Sequence, residues 1–411
     1  MDETQLTEAA PHPDDPFDEF NRAMGADGDA SPYPDLIEQR ARGPIDGGGP
    51  LFVAPDGGAP EAQVFTAYSY EAVHTVLCDS DSFSSAAYAD FMGLVLGRSI
   101  LQMDEPEHHT YRTILQQAFT RKEMARWQNE LVAPLVHRMI DDFIDDGRAD
   151  LVRQLTFPFP VRVIAALIGL PEADLPTFHR LAVELIGVTV DWDRALRASE
   201  ELRRWFADIV ADRRRHPADD LISVLASAHH DGRRLTDDEI YAFLRLLLPA
   251  GAETTYRSSS NLLFGLLSDR SQLDAVRTER TLLPQAIEEG LRWEPPLLII
   301  LRTATHDTKV CGVPVPAGAS IICNLGSANH DESRWPEPER FDIFRARRPH
   351  VGFALGPHLC LGMHLARMET EVALTALFDR LDDLRLDPSS GEQFISGMTF
   401  RAPLALDVVW G

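Results

Sequence analysis

The sequence predicts a mainly α, single-domain protein whose helical body carries a smaller β-rich portion. Three observations predict it. From about 105 to 290, apolar residues recur at helical spacing, interrupted by single prolines and glycines. Between 297 and 345 the pattern changes to short β-like runs with Pro and Gly punctuation. No linker separates the two regions, so one domain is expected although 411 residues would allow two or three.

Taken in order, residues 1–35 are rich in Asp, Glu, Pro and Gly and read as a loose acidic arm that closes in a Pro-Tyr-Pro turn at 32–34. The single domain is expected over 36–411. Residues 43–60 are Gly/Pro-rich, and Val64 to Val76 reads as a short strand leading into a helix. The strongest helix runs from 237 to 268. Thr236 and Glu239 have the spacing of a capping box, and Asp237 and Asp238 suit the positive end of the helix dipole. Ile240, Phe243, Leu244, Leu247 and Leu248 then follow the i, i+3, i+4, i+7, i+8 rule, and Leu262, Leu263, Leu266 and Leu267 resume it. At 1.5 Å per residue such a helix is roughly 48 Å long, enough to cross the whole domain. Thr308–Val315 and Ser320–Leu325 read as strands, helix returns at 361–381, and strands close the tail at 392–410.

The formal net charge of −25 repels phosphate backbones, so nucleic acid is excluded as a partner and the acidity reads as a solubility device. No apolar run approaches the ~20 residues of a membrane-spanning helix, and residues 1–20 lack the pattern of a signal peptide. A soluble, cytoplasmic protein is expected. Cys78, Cys311, Cys323 and Cys360 form no CxxC pair, which argues against a disulfide framework or a four-cysteine zinc site.

The long helix breaks its own rules at its centre. Pro249 removes a backbone hydrogen bond and should kink it, at about 3 kcal/mol. Gly251, Glu253, Thr254 and Thr255 are poor choices for a buried apolar stripe. Two readings stay open on these residues alone. One is a packing notch in which the threonines bond back to earlier carbonyls; the other is a groove holding a small ligand beside an acid and an alcohol.

The most specific segment runs from His350 to Arg367, His-Val-Gly-Phe-Ala-Leu-Gly-Pro-His-Leu-Cys-Leu-Gly-Met-His-Leu-Ala-Arg. Cys360 falls where a loop gives way to a helix, and free N–H groups at a helix start favour thiolate over thiol. Such a cysteine can be a nucleophile or a metal ligand, while a lone one more often packs as a small hydrophobe. Here it has company. The segment resembles the haem-binding loop of the cytochrome P450 family, Phe-Gly-x-Gly-x-His-x-Cys-x-Gly, matched by Phe353, Gly356, His358, Cys360 and Gly362. Ala354 replaces the first glycine, so that turn is expected to avoid positive φ or to shift. The resemblance implies a P450 fold, with haem b between the long central helix and the Cys-loop helix. It makes Cys360 the proximal iron ligand, Phe353 a shield for the sulfur and His358 a partner of a haem propionate. The Cys360/His364 spacing alone would allow zinc, but no further ligand pair lies nearby.

Other segments agree, in the order that the family requires. Glu289 and Arg292, at i and i+3, would alone be an ordinary surface ion pair. Followed by Trp293-Glu-Pro-Pro they resemble the family's Glu-x-x-Arg helix, and Arg340 in Pro-Glu-Arg-Phe resembles the third member of that structural triad. Residues 104–112 resemble the helix whose His108 and Arg112 bind a propionate, and Arg302 matches another propionate position; two buried carboxylates need such cationic donors. Ala250-Gly251-Ala-Glu253-Thr254-Thr is similar to the family's oxygen-binding groove. It implies that Ala250 and Gly251 lie against the haem and that Glu253 and Thr254 are the acid–alcohol pair supplying protons for dioxygen reduction. Glu replaces the commoner Asp there.

By the same resemblance, the substrate wall comprises Phe91, Met92, Leu94, Leu185, Val188, Leu247, Leu298, Ile299, Ile300, Met398 and Phe400. As a set they suggest a hydrophobic substrate of terpenoid, steroid, fatty-acyl or polyketide type, with no charged anchor. The implied reaction is monooxygenation with O2. The short stretch after Arg367 leaves no room for a flavin reductase, so electrons are expected from an external acidic ferredoxin and its reductase, and the protein is expected to be a monomer. Arg345, Arg347 and Arg348, with Arg121, Lys122 and Arg126, form the expected docking patch.

Overall fold

The computed structural model describes residues 21–22, 31–47 and 63–411. The predicted plan holds: helices pack around one large apolar core, and a five-stranded sheet lies over a second, smaller one. The sheet runs in the order Ile45–Gly47, Val64–Ala67, Ser320–Asn324, Ile299–Ala304, Phe83–Ser84. Ser320 pairs with Val64 in parallel and with Thr303 in antiparallel register. Val73, Val76 and Leu77 of the Tyr70–Cys78 helix bury their apolar face against it, and Ser69 caps that helix by accepting the Ala72 N–H.

The Pro-Tyr-Pro segment does not turn; it opens the helix Tyr33–Arg42, because proline is well tolerated in a first helical turn. Tyr33 is buried and donates its hydroxyl to Glu294 at 2.9 Å, in a network closed by the Arg401–Glu294 ion pair at 2.8 Å. Asn21 is buried as well. Residues 1–20 and 23–30 lie outside the described residues.

The long central helix is present, with the capping box at Thr236 and Glu239. It is α-helical over Asp237–Leu247, π-helical over Leu248–Glu253 and α-helical again over Thr254–Ser268. The π segment answers Pro249: a wider turn accommodates the missing N–H, as π-bulges at functional positions often do. Its last part packs closely on the Leu283–Trp293 helix, where a Cβ on Gly290 would come within 3.1 Å of Leu262 Cβ.

The Cys-loop helix spans Met363–Arg380. Ala354, expected to avoid positive φ, has φ 58°. The loop geometry thus overrides the residue, because the Ala354 N–H is fixed on the Val351 carbonyl and the Cys360 N–H on the Phe353 carbonyl. A left-handed alanine costs about 1–2 kcal/mol, while glycine's greater unfolded freedom costs about 0.5–1 kcal/mol. Ala354→Gly is therefore expected to raise stability by up to ~1 kcal/mol, read as a higher denaturant midpoint. A lower midpoint would show that the alanine Cβ contacts dominate.

Candidate functional site

The loop places Cys360 at the mouth of its helix, with the backbone N–H groups of Gly362 and Met363 bonded to its sulfur. Burial pushes the thiol up, and those N–H groups with Arg112 and Arg367 only partly oppose it. The dipole argument made from the sequence is thus too weak alone: a thiolate here needs a cation on the sulfur. Phe353 is half-buried beside the loop, and the Arg367 guanidinium lies 4.5 Å from its ring centroid. Arg367 is fixed by a two-toothed ion pair to Glu288 at 2.6 and 2.9 Å, and His350 lies 3.3 Å from the same carboxylate.

Burial pushes Glu288 upward, but His350 and Arg367 outweigh it and hold the carboxyl at about 2. A depressed folded value stabilises the fold above the unfolded carboxyl range and loses that stability as pH falls toward 2. Glu288→Gln should therefore flatten the drop in urea midpoint between pH 5 and pH 3; an unchanged slope would refute this.

Around Arg112, whose charge acts on the Cys360 sulfur, lies a cluster of cations and histidines. His108 is buried, its Nδ1 lies 3.1 Å from Glu105 Oε1, and its Nε2 has no partner among the described residues. Its ring centroid is 4.1 Å from that of His358, whose Nε2 lies 3.1 Å from Ser85 Oγ. Burial, with Arg302, His108 and Arg112 nearby, pushes His358 down to about 3. Arg302 is buried and donates only to its neighbour's carbonyl, Leu301, at 2.7 Å, with no ion pair among the described residues. Burial also lowers Arg112. Buried guanidinium groups without carboxylates are costly. This cluster fits a ligand that brings two carboxylates, as haem does, and the orphan Nε2 of His108 is the position one of them would satisfy.

On the central helix, Ala250 is exposed and Gly251 and Thr254 are half-buried, although the helix is buried on either side. Thr254 donates its hydroxyl to the Ala250 carbonyl at 2.8 Å. Glu253 points elsewhere, since adjacent helical residues diverge. It is buried, and its Oε1 accepts from Arg257 Nε at 2.5 Å; Arg257 Nη2 in turn donates to Asn21 at 2.7 Å.

The triad needs one correction. Glu289 and Arg292 pair at 2.8 Å through both oxygens, but the third member is Arg345, whose Nε reaches Glu289 at 3.2 Å, not Arg340. Phe341 is buried against Trp293, which turns the adjacent Arg340 side chain out to solvent, and only the Arg340 carbonyl takes part, accepting from Arg345 at 2.8 Å. Arg345 is thereby removed from the expected docking patch. Arg126 is also engaged, by Glu123 and Asp219, whereas Arg121, Lys122, Arg347 and Arg348 are exposed.

The expected wall residues fall in three groups. Phe91 and Met92 are half-buried and Leu94 is 65% exposed, around the short helix Met92–Leu96. Leu185 and Val188 are buried, and Leu247 packs at the edge of the main core. A bridge between Leu297 and Phe400 brings the 297–300 and 398–400 segments together. There Leu298 is buried, while Ile299, Ile300 and Phe400 are half-buried and Met398 is 59% exposed. The roles missed in the sequence are those of Arg257 and Glu288 and the triad role of Arg345; only Glu253/Arg257 had a readable signal, an i, i+4 acid–base spacing.

Among the described residues no helix is long and apolar enough to cross a membrane. The family model for cytochrome P450 matches residues 189–396. The chain is 34% identical over 382 residues to cytochrome P450 monooxygenase PikC of Streptomyces venezuelae, covering 90% of this chain and 88% of that one. It is 36% identical over 317 residues to a steroid C26-monooxygenase of Mycobacterium tuberculosis, covering 73% and 83%. Its fold is similar to the crystal structure of CYP109E1 from Bacillus megaterium in complex with testosterone, with TM-score 0.83 and 30% identity over 93% of this chain and 100% of that one.

Proposed function

The chain belongs to the cytochrome P450 family and is a haem-dependent monooxygenase, an oxidoreductase; from that premise we propose what it oxidises, with which residues and with whose electrons. The substrate is a hydrophobic small molecule of terpenoid, steroid, fatty-acyl or polyketide type. One oxygen atom of O2 enters it, and the other leaves as water with two electrons and two protons. The observation that carries the reading is Cys360 together with the buried Arg302, which has no ion pair among the described residues, and the buried His108, whose Nε2 has no partner among them.

Cys360 would hold the iron of haem b, and His108, Arg112, Arg302 and His358 would hold its propionates. When bound, the haem supplies dioxygen activation, to which a thiolate ligand adds electron density that favours O–O cleavage. The chain's own residues do the rest. Gly362 and Met363 N–H groups steady the sulfur, and Phe353 covers it. The Glu289–Arg292–Arg345 triad fixes the stretch that leads into the loop. The Thr254 hydroxyl, which donates to the Ala250 carbonyl, would hand on a proton and be recharged from Glu253 through water. Ile299, Ile300 and Phe400, with Phe91 and Met92, exclude water and orient an apolar substrate. A relative named steroid C26-monooxygenase and a structural neighbour crystallised with testosterone support that substrate class.

Electrons come from a separate acidic ferredoxin and its reductase, docking on Arg347, Arg348, Arg121 and Lys122, and the protein works as a cytoplasmic monomer. Neutralising Arg347 and Arg348 together should slow reduction by surrogate ferredoxin and weaken its salt dependence. Unchanged rate and salt dependence would remove this patch from the account.

The reading is tested by screening apolar compounds and small polar acids side by side for a shift in the haem Soret band, and then assaying hits with surrogate ferredoxin and reductase. Hits should be apolar and should be oxygenated. A tight-binding set limited to small polar acids would refute the substrate class. Turnover needing peroxide but no reductant would refute the electron route.

A further inference from the structure

Glu253 and Arg257 lie one helical turn apart with both side chains 2% exposed, and their contact is 2.5 Å. Arg257 is also held from outside the helix. Its Nη2 donates to Asn21 Oδ1 at 2.7 Å, and its guanidinium lies 5.5 Å from the Phe400 ring centroid and 5.0 Å from that of Tyr256. One cation thus touches the acid assigned to proton supply, the N-terminal segment and the tail hairpin assigned to the substrate wall. Stability alone is a poor reason for such a pair, because desolvating two charges consumes most of their mutual attraction. The neighbouring helix positions avoid charge: Ser258 and Ser259 satisfy themselves on the Thr255 carbonyl, and Asn261 bonds the carbonyls of Glu294 and Arg401.

We infer that Arg257 is the positioning residue for Glu253, holding its carboxylate ionised and turned away from the Thr254 hydroxyl through an anchor on Asn21. The inference rests on Glu253 being the acid of the acid–alcohol pair. Burial holds the Glu253 carboxyl above its usual range, and Arg257 opposes this only in part. The reach of the acid toward Thr254, to take a proton from water and pass it on, then depends on how firmly Asn21 and the Phe400 side grip the guanidinium. Movement at either end alters proton supply without touching the haem.

The test is infrared spectroscopy of the ferric, substrate-free holoenzyme at neutral pH, reading the carbonyl stretch of protonated buried carboxylic acids. Glu369, which burial pushes up to about 8, contributes a constant band, so the Glu253 signal is defined by subtracting Glu253→Gln. Wild type should show no Glu253 band. Arg257→Gln should reveal one, and Arg257→Lys, which keeps the charge, should abolish it again. Asn21→Asp leaves Arg257 in place but offers it a rival carboxylate, and should also raise the band. That variant decides the matter if Arg257→Gln does not take up haem. A Glu253 band already present in wild type, or absent from both variants, overturns the inference. Product coupling separates the two layers. If Glu253→Gln leaves it intact, the assignment of the acid fails whatever the infrared shows; if coupling falls but the bands do not follow Arg257, only the positioning role fails.

Discussion

Arg345→Met is expected to cost the holoenzyme about 3 kcal/mol and much of its haem, whereas Arg340→Met should cost less than about 0.5 kcal/mol. Arg345 meets the Glu289 carboxylate at 3.2 Å and also the carbonyls of Pro336, Glu337 and Arg340. Removing it takes the side-chain donor from the Pro336 carbonyl, leaves the Glu337 carbonyl with the Arg340 N–H and the Arg340 carbonyl with Arg292, and leaves Glu289 with Arg292 and the Asp342 N–H. The estimate sits at the low end of the range for breaking a buried pair because the Arg292 contacts survive. Arg340 offers only its backbone, so its side chain is dispensable. Urea midpoints and the haem-to-protein ratio of both variants decide this, and equal losses would return the third place in the triad to Arg340.

The second large effect concerns chemistry. Thr254→Ala should lower product formation by roughly 10²-fold or more while electrons continue to be consumed, the range expected for loss of a positioned proton donor. Its hydroxyl is the polar side-chain group of the half-buried groove formed with Ala250 and Gly251. Alanine keeps the helix and removes only the Oγ1 route. Measured with any substrate from the screen, the ratio of product to NADH should collapse and peroxide should rise. Coupling equal to wild type would mean that protons arrive without Thr254.

Much of this was legible in the sequence, and the exceptions share a cause. Cys360, His358 and Phe353 lie on one short loop, so their resemblance to the family's motif could be read directly from the sequence. The capping box at Thr236 and the apolar stripe after it are local in the same way. Arg345 was misread because the deciding fact is tertiary: burial of Phe341 against Trp293 turns Arg340 outward and returns the chain to Glu289 five residues later. Ala354 was misread because two loop hydrogen bonds impose a conformation that its side chain disfavours. Tyr33 and Asn21 were assigned to a loose arm on composition, yet each reaches a partner more than 200 positions away, at Glu294 and Arg257. No local pattern encodes such contacts. Arg257 had a visible i, i+4 partner, but not a visible reason to be buried.

The account turns on iron held by the sulfur at position 360. The reduced holoenzyme exposed to carbon monoxide measures this directly. Absorption at the position diagnostic of a thiolate-ligated haem is the predicted result. A band at the position typical of histidine ligation, or a preparation that takes up no haem when supplied with it, would contradict the account at its root.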